Sequence, residues 1–247
     1  MLRQPLKIVA GFLAMCLYSQ VQASITLNST RLVFEGDKKE ASITVRNAGK
    51  DELLIQSWLD NNKPGQTSDS IPFAVTPPLA RMKADSRQVL RVLFQGSGVP
   101  TDKESVFWLN VQEIPQASKT PNTLQVAVRQ RIKFFYRPAG LAGNPKEAAG
   151  AVTWQIEGQG ANSGVRVSNP SLYHVSVSEL QVKGSGYTSA PVKGFMVAPG
   201  ETQTIAVPGM PTAGSLTLSA RSINDYGSKD LYSGALGSTP VSLKPVK

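Results

Sequence analysis

The chain has 247 residues, a formal net charge of +9, one histidine (His174) and one cysteine (Cys16). A thiol- or imidazole-based catalytic centre therefore has almost nothing to be built from, and a disulfide framework is excluded. The basic balance admits nucleic-acid, membrane or acidic partners, but zinc-ligand spacing, a helix-turn-helix pattern and a basic run are all missing, which sets nucleic acid aside.

Residues 1–23 read as a signal peptide: Arg3 and Lys7 open it, Ile8 to Tyr18 is apolar, and Val21-Gln22-Ala23 ends in a small residue. The apolar run is far shorter than the ~20 residues that cross a bilayer, so cleavage after Ala23 is expected rather than stable membrane insertion. A lipid-modified Cys16 would need a small residue before it, and Met15 is not small. The formal charge falls from +9 to +7 once Arg3 and Lys7 are removed, since no acid lies in that segment. Without cysteine pairs, stability must come from hydrophobic cores, and the remaining length suffices for two domains of roughly 100 residues.

From Ser24 onward, short strand signals alternate with turn residues. Strands are expected at Ile25–Phe34, Ala41–Asn47, Leu53–Leu59, Ile71–Val75, Gln88–Gln95 and Ser105–Ile114. The turns between them include Glu35-Gly36-Asp37-Lys38, where the backbone freedom of Gly36 suits a tight reversal. The last and longest signal is Leu124–Pro138, LQVAVRQRIKFFYRP. Its even positions are mostly apolar, including Leu124, Val126, Val128, Ile132, Phe134 and Tyr136, and its odd positions are mostly polar or basic. Strands usually run about 5–6 residues, so this one should overhang its own domain.

The class expected is all-β: two immunoglobulin-like β-sandwich domains, 24–138 and 150–247, joined by a Pro-, Gly- and Ala-rich linker at 139–149. Second-region strands are expected at Val152–Ile156, Val165–Ser168, His174–Val182, Phe195–Val197, Thr204–Val207 and Leu216–Ile223. No phosphate-binding glycine loop or metal-ligand spacing occurs, and adjacent carboxylates such as Asp51 and Glu52 would face opposite sides of a strand. No catalytic residue, metal or cofactor is expected, and His174 reads as structural. Arg31 and Lys133 each interrupt apolar strand text. They are either solvated residues on half-exposed strands or members of a cationic cleft for a carboxylate, where charge-assisted bonds are roughly twice as strong as neutral ones.

Several stretches resemble one family. Thr30-Arg31-Leu32-Val33-Phe34-Glu35-Gly36, Val75-Thr76-Pro77-Pro78, Glu104-Ser105-Val106-Phe107-Trp108-Leu109-Asn110, Glu113-Ile114-Pro115, Leu124-Gln125-Val126-Ala127, Ile132-Lys133-Phe134-Phe135-Tyr136-Arg137-Pro138 and Ile223-Asn224-Asp225-Tyr226-Gly227 fall in order along the chain. Together they resemble the periplasmic chaperones of the chaperone/usher pilus (fimbrial) assembly pathway. The resemblance implies a non-enzymatic chaperone with a cleft between its two domains. It would capture pilus subunits by lending a β-strand (donor-strand complementation) and deliver them to an outer-membrane usher.

By the same resemblance, Leu124, Val126 and Val128 are the donated strand, and Arg31 and Lys133 anchor the subunit's C-terminal carboxylate. Glu104, Arg137 and Asp225 form ion pairs between the domains, Thr76-Pro77 is a cis peptide position, and the free chaperone has an edge available for a self-capping dimer. Lys133 has odd parity while the donated residues are even, which calls for twist or a bulge between them. The short Gln116–Asn122 segment, without flanking cysteines, resembles the subclass serving rod-forming pili. In the second domain the match is good only around Ser168-Asn169-Pro170 and Asn224-Asp225-Tyr226-Gly227. The alternative readings are a structural pilus component or adhesin, which would more naturally be one domain with its own disulfide, and a periplasmic hydrolase or sugar-binding enzyme, for which no catalytic constellation is present.

Overall fold

The structure is a computed structural model that describes residues 24–61, 71–116, 124–184, 186–211 and 214–246. The signal-peptide reading of 1–23 and nearly all of Gln116–Asn122 lie outside the described residues. Among the described residues no helix is long and apolar enough to cross a membrane.

Among the described residues the first sandwich has nine strands: β1 Ile25–Leu27, β2 Arg31–Glu35, β3 Glu40–Asn47, β4 Leu53–Asp60, β5 Phe73–Thr76, β6 Leu79–Met82, β7 Arg87–Phe94, β8 Ser105–Pro115 and β9 Arg129–Arg137. They form two sheets, ordered β1-β3-β7-β5 and β2-β9-β8-β4-β6. Period-two patterning builds the core between them. In β3, Ala41, Ile43, Val45 and Asn47 are buried while alternate residues are not, and β4 buries Leu53, Ile55, Ser57 and Leu59. Phe34, Phe73, Phe94, Phe107, Phe134 and Tyr136 meet in one aromatic cluster, with Phe73 and Phe94 stacked at 4.8 Å between centroids.

The strand expected over Ile25–Phe34 is broken in two. Its first part pairs with β3, and its second part pairs parallel to β9 in the opposite sheet. The crossing at Asn28–Thr30 is held locally, with Asn28 Oδ1 accepting from Thr44 N and Ser29 Oγ donating to Arg31 O. Gly36 is required for space rather than for its freedom of φ. A Cβ there would meet Ala139 N at 2.6 Å and Arg137 O at 2.8 Å, because Gly36 N already donates to Arg137 O.

Within the expected linker, Asn144 caps a seven-residue helix, α1 (Pro145–Ala151), by accepting from Lys146 N, with proline in its first turn. The second sandwich follows: β10 Thr153–Glu157, β11 Gly164–Ser168, β12 Val175–Gly184, β13 Tyr187–Thr188, β14 Val192–Val197, β15 Thr202–Ala206, β16 Leu216–Ile223, β17 Lys229–Leu236, β18 Val241–Ser242 and β19 Lys244–Pro245. One sheet is ordered β15-β11-β10-β18. The other is ordered β13-β12-β16-β17-β19, with β14 also on β12. Its core is aliphatic, built on Val165, Val167, Leu180, Val182 and Leu218 around Trp154.

Candidate functional site

The end of β9 is buried on both faces. Phe134 and Tyr136 point into the first core, and Phe135 and Arg137 are buried because the second domain covers the opposite face. In β2 the same division holds, with Leu32 and Phe34 in the core and Arg31 on the side of the second domain. The parallel register places Arg31 directly beside Lys133. Two cations thus sit next to each other at the foot of the interdomain cleft.

Both are tethered by groups of the second domain. Arg31 is only 7% exposed; its Nη1 donates to Ile223 O at 2.8 Å, and its Nε is buried with no hydrogen-bond partner among the described residues. Lys133 Nζ donates to Ser176 Oγ at 2.9 Å. Burial first, and the neighbouring Arg31 charge second, push the Lys133 ammonium down to about 8. Burial also lowers Arg31, partly offset by Asp225 and Glu104.

A cavity of about 310 Å³ opens here, lined among others by Arg31, Phe135, Tyr173, His174 and Asp225. Lys133 is not part of that lining and reaches Ser176 instead. The chemistry present suits an anion: a guanidinium beside an ammonium, both incompletely solvated. His174 Nδ1 lies 2.9 Å from Glu104 Oε1, and this carboxylate also accepts from His174 N, so the only imidazole is engaged in the domain junction. Among the described residues no cluster of three or more His, Cys, Asp or Glu could hold a metal ion.

The junction itself is centred on Arg137. Its Nε donates to Glu104 Oε2 at 2.7 Å, and its Nη1 and Nη2 donate to Asp225 at 2.7 and 2.8 Å. Glu35 lies 3.3 Å away and the Tyr173 ring 5.5 Å from Cζ. Burial opposes the guanidinium charge, but the bonds to Asp225 and Glu104 hold its pKa above the ordinary arginine value. Asp225 belongs to a turn completed by Gly227, at φ 84° and pressed against Thr30, where a Cβ would meet Thr30 Oγ1 at 2.6 Å. Glu35, Tyr173, His174 and Ser176 were not singled out as site residues in the sequence. Glu35 falls within one of the family-resembling stretches and His174 is the single histidine of the sequence, whereas Tyr173 and Ser176 carry no signal beyond lying near the start of an expected strand. The Thr76-Pro77 bond is cis.

Leu124, Val126 and Val128 lie ahead of β9, outside any strand, and Leu124 and Val126 are 88% and 60% exposed. The β8–β9 ladder runs without a register shift from Ser105↔Tyr136 to Gln112↔Arg129 and is continued by Glu113 N donating to Val128 O. The reciprocal position is taken by a side chain, since Val128 N donates to Glu113 Oε1 at 3.2 Å. The ladder has no register shift between Lys133 and Arg129, so of the twist or bulge expected from the opposite parity of Lys133 and the donated residues, the bulge is absent there. The even face of β9 serves the core, and its odd face serves the cleft.

Known proteins resemble this chain in sequence and fold. Residues 24–142 match the family model described as "Pili and flagellar-assembly chaperone, PapD N-terminal domain", and residues 147–233 match "Pili assembly chaperone PapD, C-terminal domain". The chain is 39% identical over 218 residues to the probable fimbrial chaperone YadV of Escherichia coli K12, covering 83% of this chain and 87% of that one. It is 39% identical over 212 residues to the chaperone protein MrkB of Klebsiella pneumoniae, covering 83% and 88%. The crystal structure of YadV superposes with a TM-score of 0.75 at 37% identity, over 86% of this chain and all of that one. Both domains and most of the length are accounted for, and the family consists of non-enzymatic assembly proteins, so the chain belongs to the PapD-like pilus-assembly chaperones.

Proposed function

We propose that this chaperone works in the periplasm, captures pilus subunits by lending them the segment ahead of β9, and passes them to an outer-membrane usher. The observation that carries the proposal is where β2 starts. It covers β9 only from Lys133 onward, so over Leu124–Gln130 that edge of the chain has no strand beside it among the described residues. A partner strand laid along this edge runs into the Arg31–Lys133 pair. If it lies parallel to β9, as β2 does, it meets the two cations with its C-terminal carboxylate. An antiparallel strand would bring an ammonium there, so charge alone selects the parallel arrangement.

Main-chain hydrogen bonds along the edge give affinity that does not depend on subunit sequence. Leu124, Val126 and Val128 continue the even face of β9 and enter the subunit's open groove, each contributing about 1.5–3 kcal/mol if fully buried, before ordering costs. The carboxylate fixes the register, because a slip of one residue would turn those side chains away from the groove. Glu104, Arg137 and Asp225 hold the two domains at the angle that keeps the cleft open.

Co-expression with a pilus subunit from the same genome tests this reading. Arg31→Ala and Lys133→Ala should each abolish co-purification of the subunit while the chaperone stays folded. Undiminished complex yield in both variants overturns it.

A further inference from the structure

Arg129 and Arg131 lie on the same face of β9 as Lys133, and Arg31 sits beside Lys133. Four cations therefore run along one face of the proposed docking edge, and like charges this close oppose a straight strand. β2 does not support this part of β9, whose strand neighbour is β8. The outer face of the five-stranded sheet nevertheless holds these side chains firmly, through one carboxylate and one carboxamide.

Asp60, at the end of β4, accepts from Arg131 Nη2 at 2.6 Å on Oδ1 and from Asn110 Nδ2 at 2.7 Å on Oδ2, with Arg129 Nη2 at 3.8 Å. Asn110 is fully buried, and its Oδ1 accepts from Arg129 Nε at 3.0 Å. Each arginine also lies over an indole: Arg129 Cζ is 5.2 Å from the Trp58 ring and Arg131 Cζ is 4.2 Å from the Trp108 ring. The register places Trp58, Asn110 and Arg131 in one cross-strand row and Asp60, Trp108 and Lys133 in the next.

We infer that Asp60, working through Asn110, is a positioning residue that holds Arg129–Ile132 in strand geometry ahead of subunit docking. The inference rests on the strand-donation reading above, and Asp60 need not touch the subunit. It lowers the ordering cost of capture by keeping the root of the donated segment extended, and it offsets part of the positive charge next to the Arg31–Lys133 pair.

Hydrogen exchange on the isolated chaperone tests the positioning directly, with subunit co-purification and binding kinetics as the second readout. Asp60→Ala and Asp60→Asn should speed amide exchange across Arg129–Ile132 by about tenfold, the loss expected for a charge-assisted bond, while β3 and β7 are unchanged. Subunit capture should weaken by a similar factor. If either variant fails to fold, Arg129→Gln breaks the same link from a half-exposed position and should reproduce both effects more weakly. Unchanged exchange across Arg129–Ile132 in the folded variants overturns the inference, as does faster exchange with undiminished capture. Failure of the strand-donation reading has a different signature: Arg31→Ala and Lys133→Ala capture subunits normally, whatever Asp60 does.

Discussion

Lys133 carries the sharpest residue-scale consequence. Its folded-state pKa, about 8, lies below the ~10.4 of an unfolded lysine. Between those values the unfolded chain binds more protons, so the empty chaperone should gain stability as pH rises through that window. On the proposed carboxylate contact, capture should run the other way, because a carboxylate is held by the ammonium and not by the amine. Subunit affinity should fall roughly tenfold between about pH 7 and about pH 9.5, since Arg31 stays charged but Lys133 does not. Lys133→Arg should flatten the profile, and a flat profile in the unsubstituted chain, measured by titration with a subunit, would exclude Lys133 from the contact. The basic character of Lys133 and Arg31 inside apolar strands was legible in the sequence. Their burial was not, because it depends on Ser176 and Ile223, 43 and 192 residues away from their respective partners.

At the scale of the element, β9 divides its work by face and by length. Ile132, Phe134 and Tyr136 pack on the first core, Lys133, Phe135 and Arg137 meet the second domain, and Leu124–Ala127 lies beyond the last ladder bond, which is made at Val128. Val126→Asp should therefore weaken subunit capture by a factor of ten or more, roughly the loss of one buried valine, yet leave thermal unfolding of the free chain within about 0.5 kcal/mol of the original. A large drop in the free chain's own stability would place Val126 in its core instead. Period-two patterning made most strands readable: Ala41–Asn47 against β3 and Ser105–Ile114 against β8 differ by a residue at an end. It failed for β17, Lys229–Leu236, where polar and glycine residues hide a strand set between β16 and β19. It also failed at Ile25–Phe34, which reads as one strand because apolar residues continue across the point where the chain changes sheets.

At the scale of the whole molecule, Arg137 joins the domains through Glu104 on one side and Asp225 on the other. Glu104 is 3% exposed, so removing its arginine partner leaves a carboxylate that water cannot reach and that, among the described residues, only His174 still contacts. Arg137→Met should cost about 3 kcal/mol in denaturant unfolding and separate the two domains' transitions, because breaking a buried pair leaves a charge uncompensated. Asp225→Asn, which keeps the shape and leaves Glu104 paired, should cost about 1 kcal/mol. An unaltered single transition in Arg137→Met would show that contacts other than this network couple the domains. One such contact is the backbone bond from Glu104 N to Leu172 O.

By itself the sequence determined the all-β class, the division into two domains and the family, because strand patterning is local and the family's stretches are contiguous. Tertiary structure alone decided which face of β9 meets which neighbour, that Arg31 is buried against the second domain, and that Asp60, Asn110 and two tryptophans gather around Arg129 and Arg131. Those facts rest on register and on contacts between distant strands, and a one-residue change of pairing would have reversed every one of them.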